Sequence, residues 1–443
     1  MAVINLEKLK NKHFLSLMGN AVISLLGLLQ LWFLYKYFTK NDVGIWLVFM
    51  TTQSILDSIR NGFLGTATIK FYAGAEARRA SDVMGSIWFL AISITGIMLL
   101  LNAAALPLLP HIHNTETAIS IKWVGITILS SLPFTVIFWK LQADEQYGTI
   151  LWMRLLNNGS TIIAFTVLLL LDKFTLESAL LWNLITNSLT SIIGLLARLG
   201  GIKHIFSRTR LTIIEIVHFG KYSLATNLSS NLLGSANTYI INFMLGTGAV
   251  AILSVPSRLM ELVEIPLRSF VGTGMSSMAT AYNQKDTNRV ISLLNKYSGM
   301  LTIAFIPLTL GVLLLADIPV NILSSGKYRG TEAANLYRLI MVIALIYPID
   351  RFNGVTLDII HQPRINFQKV QLMLVVKIAA TFGCVYMLNS IYGVPLSGLI
   401  TQVAGLAYGH YRLKQHLKVS IPEMLKVGIA ETRQLTARIL RRK

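Results

Sequence analysis

SLMGNAVISLLG, residues 16–27, returns as SLATNLSSNLLG, residues 223–234, at a constant offset of 207. Six of the twelve paired positions are identical: Ser16/Ser223, Leu17/Leu224, Asn20/Asn227, Leu25/Leu232, Leu26/Leu233 and Gly27/Gly234. Leucines match easily by chance in an apolar chain, whereas Ser, Asn and Gly do not. The same offset pairs Val43 with Val250, Gly65 with Gly272, Thr66 with Thr273 and Val83 with Val290, and it sets Asp57 opposite Glu264. The register survives without a gap for the length of two helices, so the chain is two copies of one unit. Internal repeats of this kind mark secondary transporters, whose substrate site lies near the bilayer midplane where the copies meet.

Of the 443 residues, 53% are hydrophobic and only 13% charged, too little polar surface for a soluble globule. A helix needs roughly 20 apolar residues to cross a hydrocarbon core. Runs of that kind are read at 14–37, 43–69, 84–108, 119–141, 150–171 and 176–198, and again at 218–245, 249–281, 295–316, 336–361, 366–389 and 391–413. The expected fold is an all-α integral membrane protein of about twelve transmembrane helices. With an even number of spans in each copy, both copies start on the same side and form parallel six-helix repeats. The repeat divides the chain into an N-terminal lobe at 1–207, a C-terminal lobe at 208–417 and a basic tail at 418–443. The link GGIKHIFSRTR, residues 200–210, is the candidate hinge. The first apolar run is too long for a signal peptide and lacks a small-residue cleavage site, so it is expected to stay as a span.

A net charge of +19 would point to nucleic acid in a soluble protein, but here it sorts by side. The N-terminus, the loops after even-numbered spans and the tail hold 27 of the 39 Lys and Arg, and the opposite side holds seven. Both termini are therefore expected in the cytoplasm, and no nucleic-acid partner is implied. The tail, with Arg433, Arg438, Arg441, Arg442 and Lys443, is placed to touch anionic lipid headgroups. The single cysteine, Cys384, excludes an intrachain disulfide. His and Cys show no metal-ligand spacing, so no metal site is expected.

The remaining five basic residues, Arg60, Arg258, Arg268, Arg351 and Lys377, fall inside apolar spans. A charge at the bilayer centre is costly and by default marks a pathway. Asp57 and Arg60 lie three apart in the second span, and Arg258, Glu261, Glu264 and Arg268 form one polar stripe in the eighth. The alternative is that these are self-neutralising i,i+3 and i,i+4 pairs that serve packing alone. Asp350, Arg351 and Asp358 follow Pro348 in the tenth span, where Arg351 and Asp358 share a face. These three and Lys377 in the eleventh are secondary candidates. Asn20 and Asn227 are repeat-matched polar residues, and TNLSSN (226–231), SAN (235–237) and TTQS (51–54) supply uncharged hydrogen-bonding groups. Their competing reading is interhelical glue.

At LYKYFTKNDVGIWLVFMTTQSILDSIRNGFLGTATIKFYA (34–73) and MLGTGAVAILSVPSRLMELVEIPLRSFVGTGMSSMATAYNQKD (244–286) the chain resembles polysaccharide-unit flippases, of the O-antigen type, in the multidrug/oligosaccharidyl-lipid/polysaccharide (MOP) exporter superfamily. The resemblance is strongest over 14–85 and 220–300. It implies two six-helix bundles around a central cavity lined by the first, second, seventh and eighth spans. It also implies transport of an undecaprenyl-pyrophosphate-linked oligosaccharide across a bacterial plasma membrane, in company with polysaccharide polymerase and ligase machinery. By position, Arg60, Arg258 and Arg268 would be cationic cavity residues, whose fixed forks suit a pyrophosphate. Asp57, Glu261 and Glu264 make this face less purely cationic than that role requires. They are candidates for coupling transport to H⁺ or Na⁺, the only cofactor in view, and they keep a cation-coupled multidrug exporter open. A membrane-embedded polymerase or glycosyltransferase would need a large outer loop or an Asp pair in an aqueous loop, and the sequence offers neither.

Overall fold

The computed structural model describes residues 12–73 and 75–440, without side chains at 12–21, at scattered positions in the seventh and eighth spans and at the end of the tail. The regular elements described are all helical. In chain order they are α1 (Lys12–Tyr37), α2 (Lys40–Arg60), α3 (Thr66–Tyr72), α4 (Ala77–Ala105), α5 (Thr115–Ala143), α6 (Tyr147–Leu170), α7 (Leu176–Leu196) and α8 (Arg210–Leu245). There follow α9 (Thr247–Asn283), α10 (Thr287–Leu315), α11 (Asp317–Ser324), α12 (Ala333–Ala344), α13 (Tyr347–Ile359), α14 (Pro363–Leu388), α15 (Gly393–Lys414) and α16 (Ile421–Leu440).

Helix occupies every run read as a span. Six described helices are long and apolar enough to cross a membrane alone, and a seventh qualifies if α12 and α13, bent by 46°, count as one span. The polar-run helices α2, α8 and α9 are not among those six. Large apolar side chains such as Leu100, Leu170 and Leu314, 72%, 78% and 79% exposed, require lipid around them. Local chemistry sets the ends. Thr39 accepts the amide of Asp42 at the start of α2, Thr175 and Ser178 form a capping box on α7, and Asn389 closes α14 in the left-handed conformation.

Packing divides the chain into two compact units, Met1–Ser235 and Ala236–Lys443. The division falls inside α8, beyond the end of the first repeat. The reason is contact within the first unit: Phe219 meets Phe71 edge-on at 5.7 Å, Arg79 donates to Thr212 at 2.7 Å and pairs with Glu215, and Gly220 leaves no room for a Cβ against the Phe63 carbonyl. Ile216 accordingly joins a core with Leu64, Val83, Met84, Ile87, Trp88 and Trp139.

The link expected to act as a hinge is strapped down. After Gly201, at φ +60°, residues Ile202–Ser207 make a 3-10 turn. Trp88 Nε1 donates to the Gly200 carbonyl at 2.8 Å, the Ser81 hydroxyl sits 2.6 Å from His204 Nδ1, and Gly85 accommodates the His204 carbonyl where a side chain would collide. Burial, followed by the nearby Lys203 and Lys140 cations, pushes the His204 imidazole below its ordinary value, so it stays neutral at neutral pH.

The second unit has its own core, around Met278, Val290, Leu294, Met341, Phe352, Leu357, Leu413 and Met424. The tail contributes α16, which crosses α10 where Gly299 and Gly428 meet backbone to backbone, and Lys296 pairs with Glu431 at 2.7 Å beside the crossing. Neither glycine has space for a Cβ. Gly428→Leu is therefore expected to lift α16 off α10 and to cost about 1–3 kcal/mol through overpacking, read as a lower Tm and faster proteolysis of the tail.

Candidate functional site

A break in helical geometry builds the site. Between α2 and α3 the chain makes one π-helical turn, Asn61–Gly65, a form that recurs at functional sites because it re-aims the side chains beside it. Gly62 lets this turn approach α8, where a Cβ would lie 2.8 Å from Asn227 Cβ and 3.0 Å from Leu224 Cα. Gly65 makes room for the Trp139 indole, which donates to Asn61 Oδ1 at 2.6 Å. These close approaches leave a cavity of about 530 Å³ within the first unit, lined by Met50, Gln53, Ser54, Asp57, Ser58, Asn61, Asn227 and Asn231.

Asp57 is the one charged residue in that lining. Its carboxylate is 28% exposed and pairs with Arg60. Arg60, expected to present its guanidinium to the cavity, is turned away and wholly buried. Nη1 donates to the Ile128 carbonyl and Nη2 to Ser131 Oγ, each at 2.9 Å, and Nη2 also reaches Asp57. A guanidinium three residues from a carboxylate on one helix cannot face both the cavity and α5, and α5 supplies the acceptors. Arg60 therefore holds Asp57 in place, and its guanidinium does not face this cavity. Apart from Met50, the remaining groups of the lining are amides and hydroxyls. Asn231 donates to Ser54 Oγ at 3.3 Å, and Gln53 keeps a buried side-chain oxygen with no partner among the described residues. The arrangement suits hydroxyl-rich ligands and cations. It does not suit a pyrophosphate. Asn20 lies in α1, and its side chain is outside the described residues.

In the second unit the α9 stripe forms the local pairs allowed for by spacing. Arg258 Nη1 holds both carboxylate oxygens of Glu261, at 2.9 and 3.1 Å, and Arg268 Nη2 donates to Glu264 at 2.8 Å. Arg268 is 62% exposed. The tenth-span candidates are rearranged. Arg351 and Asp358, expected to share a face, make no ion pair with each other among the described residues. Arg351 is exposed, and Asp358 accepts from Asn366 at 2.8 Å. Asp350 instead pairs with Lys369 at 2.5 Å in nearly complete burial. Lys369 belongs by sequence to the cytoplasmic charge count, yet it is 4% exposed. Its place one turn inside α14, on the face of Met373, is the signal that was available. Lys377 lies on α14, partly buried.

The sequence and the fold match known proteins. A family model described as "Polysaccharide biosynthesis protein" matches residues 38–333. No curated protein matches the sequence. Among solved structures, an inward-facing multidrug resistance MATE family transporter of the MOP superfamily superposes with a TM-score of 0.74 at 13% identity, covering 89% of this chain and 95% of that one. The lipid II flippase MurJ in an inward closed conformation gives 0.70 at 15% identity, over 96% and 92%. A MOP superfamily transporter from Pyrococcus furiosus, noted for the reverse polarity of its binding pocket, gives 0.62 at 15% identity, over 92% and 95%. At these identities the structures establish the shared fold, and the family match covers most of the chain. The protein has the MOP transporter fold and belongs to the polysaccharide biosynthesis protein family.

Proposed function

We propose that this protein is a flippase that moves an undecaprenyl-pyrophosphate-linked oligosaccharide from the cytoplasmic to the outer leaflet of a bacterial plasma membrane by alternating access, in the assembly of a surface polysaccharide such as the O-antigen of lipopolysaccharide. The observation that carries the reading is the cavity lined by Gln53, Ser54, Asn61, Asn227 and Asn231, in a chain of the polysaccharide biosynthesis family. Amides and hydroxyls with an unsatisfied acceptor are what sugar hydroxyls require. In this reading Asp57 binds and releases the H⁺ or Na⁺ that drives the cycle. Of the arginines, Arg258 and Arg268 remain candidates for the pyrophosphate: among the described residues each ion pair engages a single guanidinium nitrogen, so the rest of each fork can meet phosphate oxygens. Lysine at either position should restore only part of the transport, because a point charge lacks the fork. The product would pass to polymerase and ligase machinery on the outer side.

Complementation tests the reading. Expression in a strain lacking its own polysaccharide-unit flippase should restore surface polysaccharide, and failure of a well-expressed protein with several glycan types would contradict it. One observation favours a second reading, a cation-coupled multidrug exporter: the charge that the cavity presents is negative. That reading predicts ethidium efflux and resistance to cationic toxins, and the flippase reading predicts neither.

A further inference from the structure

Lys377 stands fourteen residues after the start of α14, Pro363, and eleven before its end, Leu388. At 1.5 Å per residue it is about 21 Å from one end and about 16 Å from the other. Snorkelling serves lysines near helix ends, and this one is in the middle. The buried residues of α14, Ile365, Lys369, Met373, Thr381 and Val385, recur every four positions, with a gap where Lys377 falls. It therefore occupies the packed stripe of the helix. On that stripe Met373 fills the space beside Gly405 of α15. One turn beyond Lys377, the Thr381 hydroxyl lies 3.0 Å from Ser397 of α15 and 3.4 Å from Asn237 Oδ1 of α8. Lys369, two turns before it, is neutralised by Asp350. Lys377 has no such partner: among the described residues no carboxylate lies within ion-pair distance of it.

An uncompensated ammonium at mid-membrane depth is costly, and an anion that arrives as ligand removes the cost. We propose that Lys377, with Asn237 and Thr381 beside it, forms an anion subsite inside the second unit that takes the pyrophosphate of the lipid-linked substrate. The inference rests on the flippase reading. The Asn237 oxygen is engaged by Thr381, one turn beyond Lys377 on the same face of α14, so its amide group is left to donate to a ligand.

Binding of undecaprenyl pyrophosphate to the full-length protein in phosphatidylcholine nanodiscs tests the assignment. Lys377→Met should weaken binding by about tenfold or more, the loss expected for one charge-assisted contact, while Lys377→Arg stays close to wild type. Lys377→Met should also raise the Tm of the ligand-free protein, since it removes an unpaired charge, and this shows that the variant is folded. Wild-type affinity in Lys377→Met would overturn the subsite. Equal competition by phosphatidylglycerol would overturn the pyrophosphate assignment and make the site a headgroup site. No binding of undecaprenyl pyrophosphate by the wild type would instead sink the flippase reading.

Discussion

Arg60→Ala is expected to remove most of the folded protein from the membrane. The guanidinium is wholly buried, and it satisfies the Ile128 carbonyl, Ser131 and Asp57 at once. Truncation leaves Asp57 without its counter-charge and opens a void against α5. Breaking a buried pair from one side costs about 3–5 kcal/mol, a large fraction of the stability of a typical domain. The measurement is detergent-solubilised yield and Tm by size-exclusion chromatography. Arg60→Met with Asp57→Asn should recover stability without recovering transport, because the pair is removed together while the cavity loses its carboxylate. Normal yield and Tm for Arg60→Ala, with transport lost, would mean that the guanidinium acts on the substrate after all.

Asp57→Asn is expected to have the opposite profile. The asparagine oxygen still accepts from Arg60, so folding should be far closer to wild type than for Arg60→Ala. The cavity loses its charge, and with it the group that can exchange H⁺ or Na⁺. Export should fall by about tenfold or more, the factor that corresponds to about 1.4 kcal/mol of lost interaction, and the residual rate should no longer respond to the proton or sodium gradient. Asp57→Glu should keep the ion response with a reduced rate. A variant Asp57→Asn with wild-type gradient dependence would reduce this carboxylate to a partner of Arg60.

These two expectations mark where sequence reading reached and where it stopped. Helices were legible because apolar runs of membrane length leave little choice of backbone. The α9 pairs were legible as an alternative because Arg258–Glu261 and Arg268–Glu264 are local, set by three- and four-residue spacing. The fate of Arg60 was not. Its acceptors Ile128 and Ser131 are 68 and 71 residues away, and nothing in the second span says which way its charge turns. Lys369 was misplaced for a similar reason: it lies at the edge of an apolar run, and its partner Asp350 is across a turn in α13. The link at 200–210 reads as flexible because it is rich in Gly and basic residues, yet Ser81, Gly85 and Trp88 of α4 hold its first half. The π-helical turn at Asn61–Gly65, which shapes the cavity, has no sequence signature beyond two glycines in an otherwise regular span.

Whether the cargo is a lipid-linked glycan is decided by following its movement across a bilayer. Purified protein would be reconstituted into liposomes carrying undecaprenyl-pyrophosphate-linked oligosaccharide in both leaflets. Flipping is then read as the fraction that becomes accessible to a glycosidase or lectin on one side, under an imposed proton or sodium gradient. A flippase should give protein-dependent translocation that is lost in Asp57→Asn and is not inhibited by ethidium. Liposomes in which the glycan lipid stays in its leaflet while ethidium is pumped across would rule out a flippase and establish the drug exporter in its place.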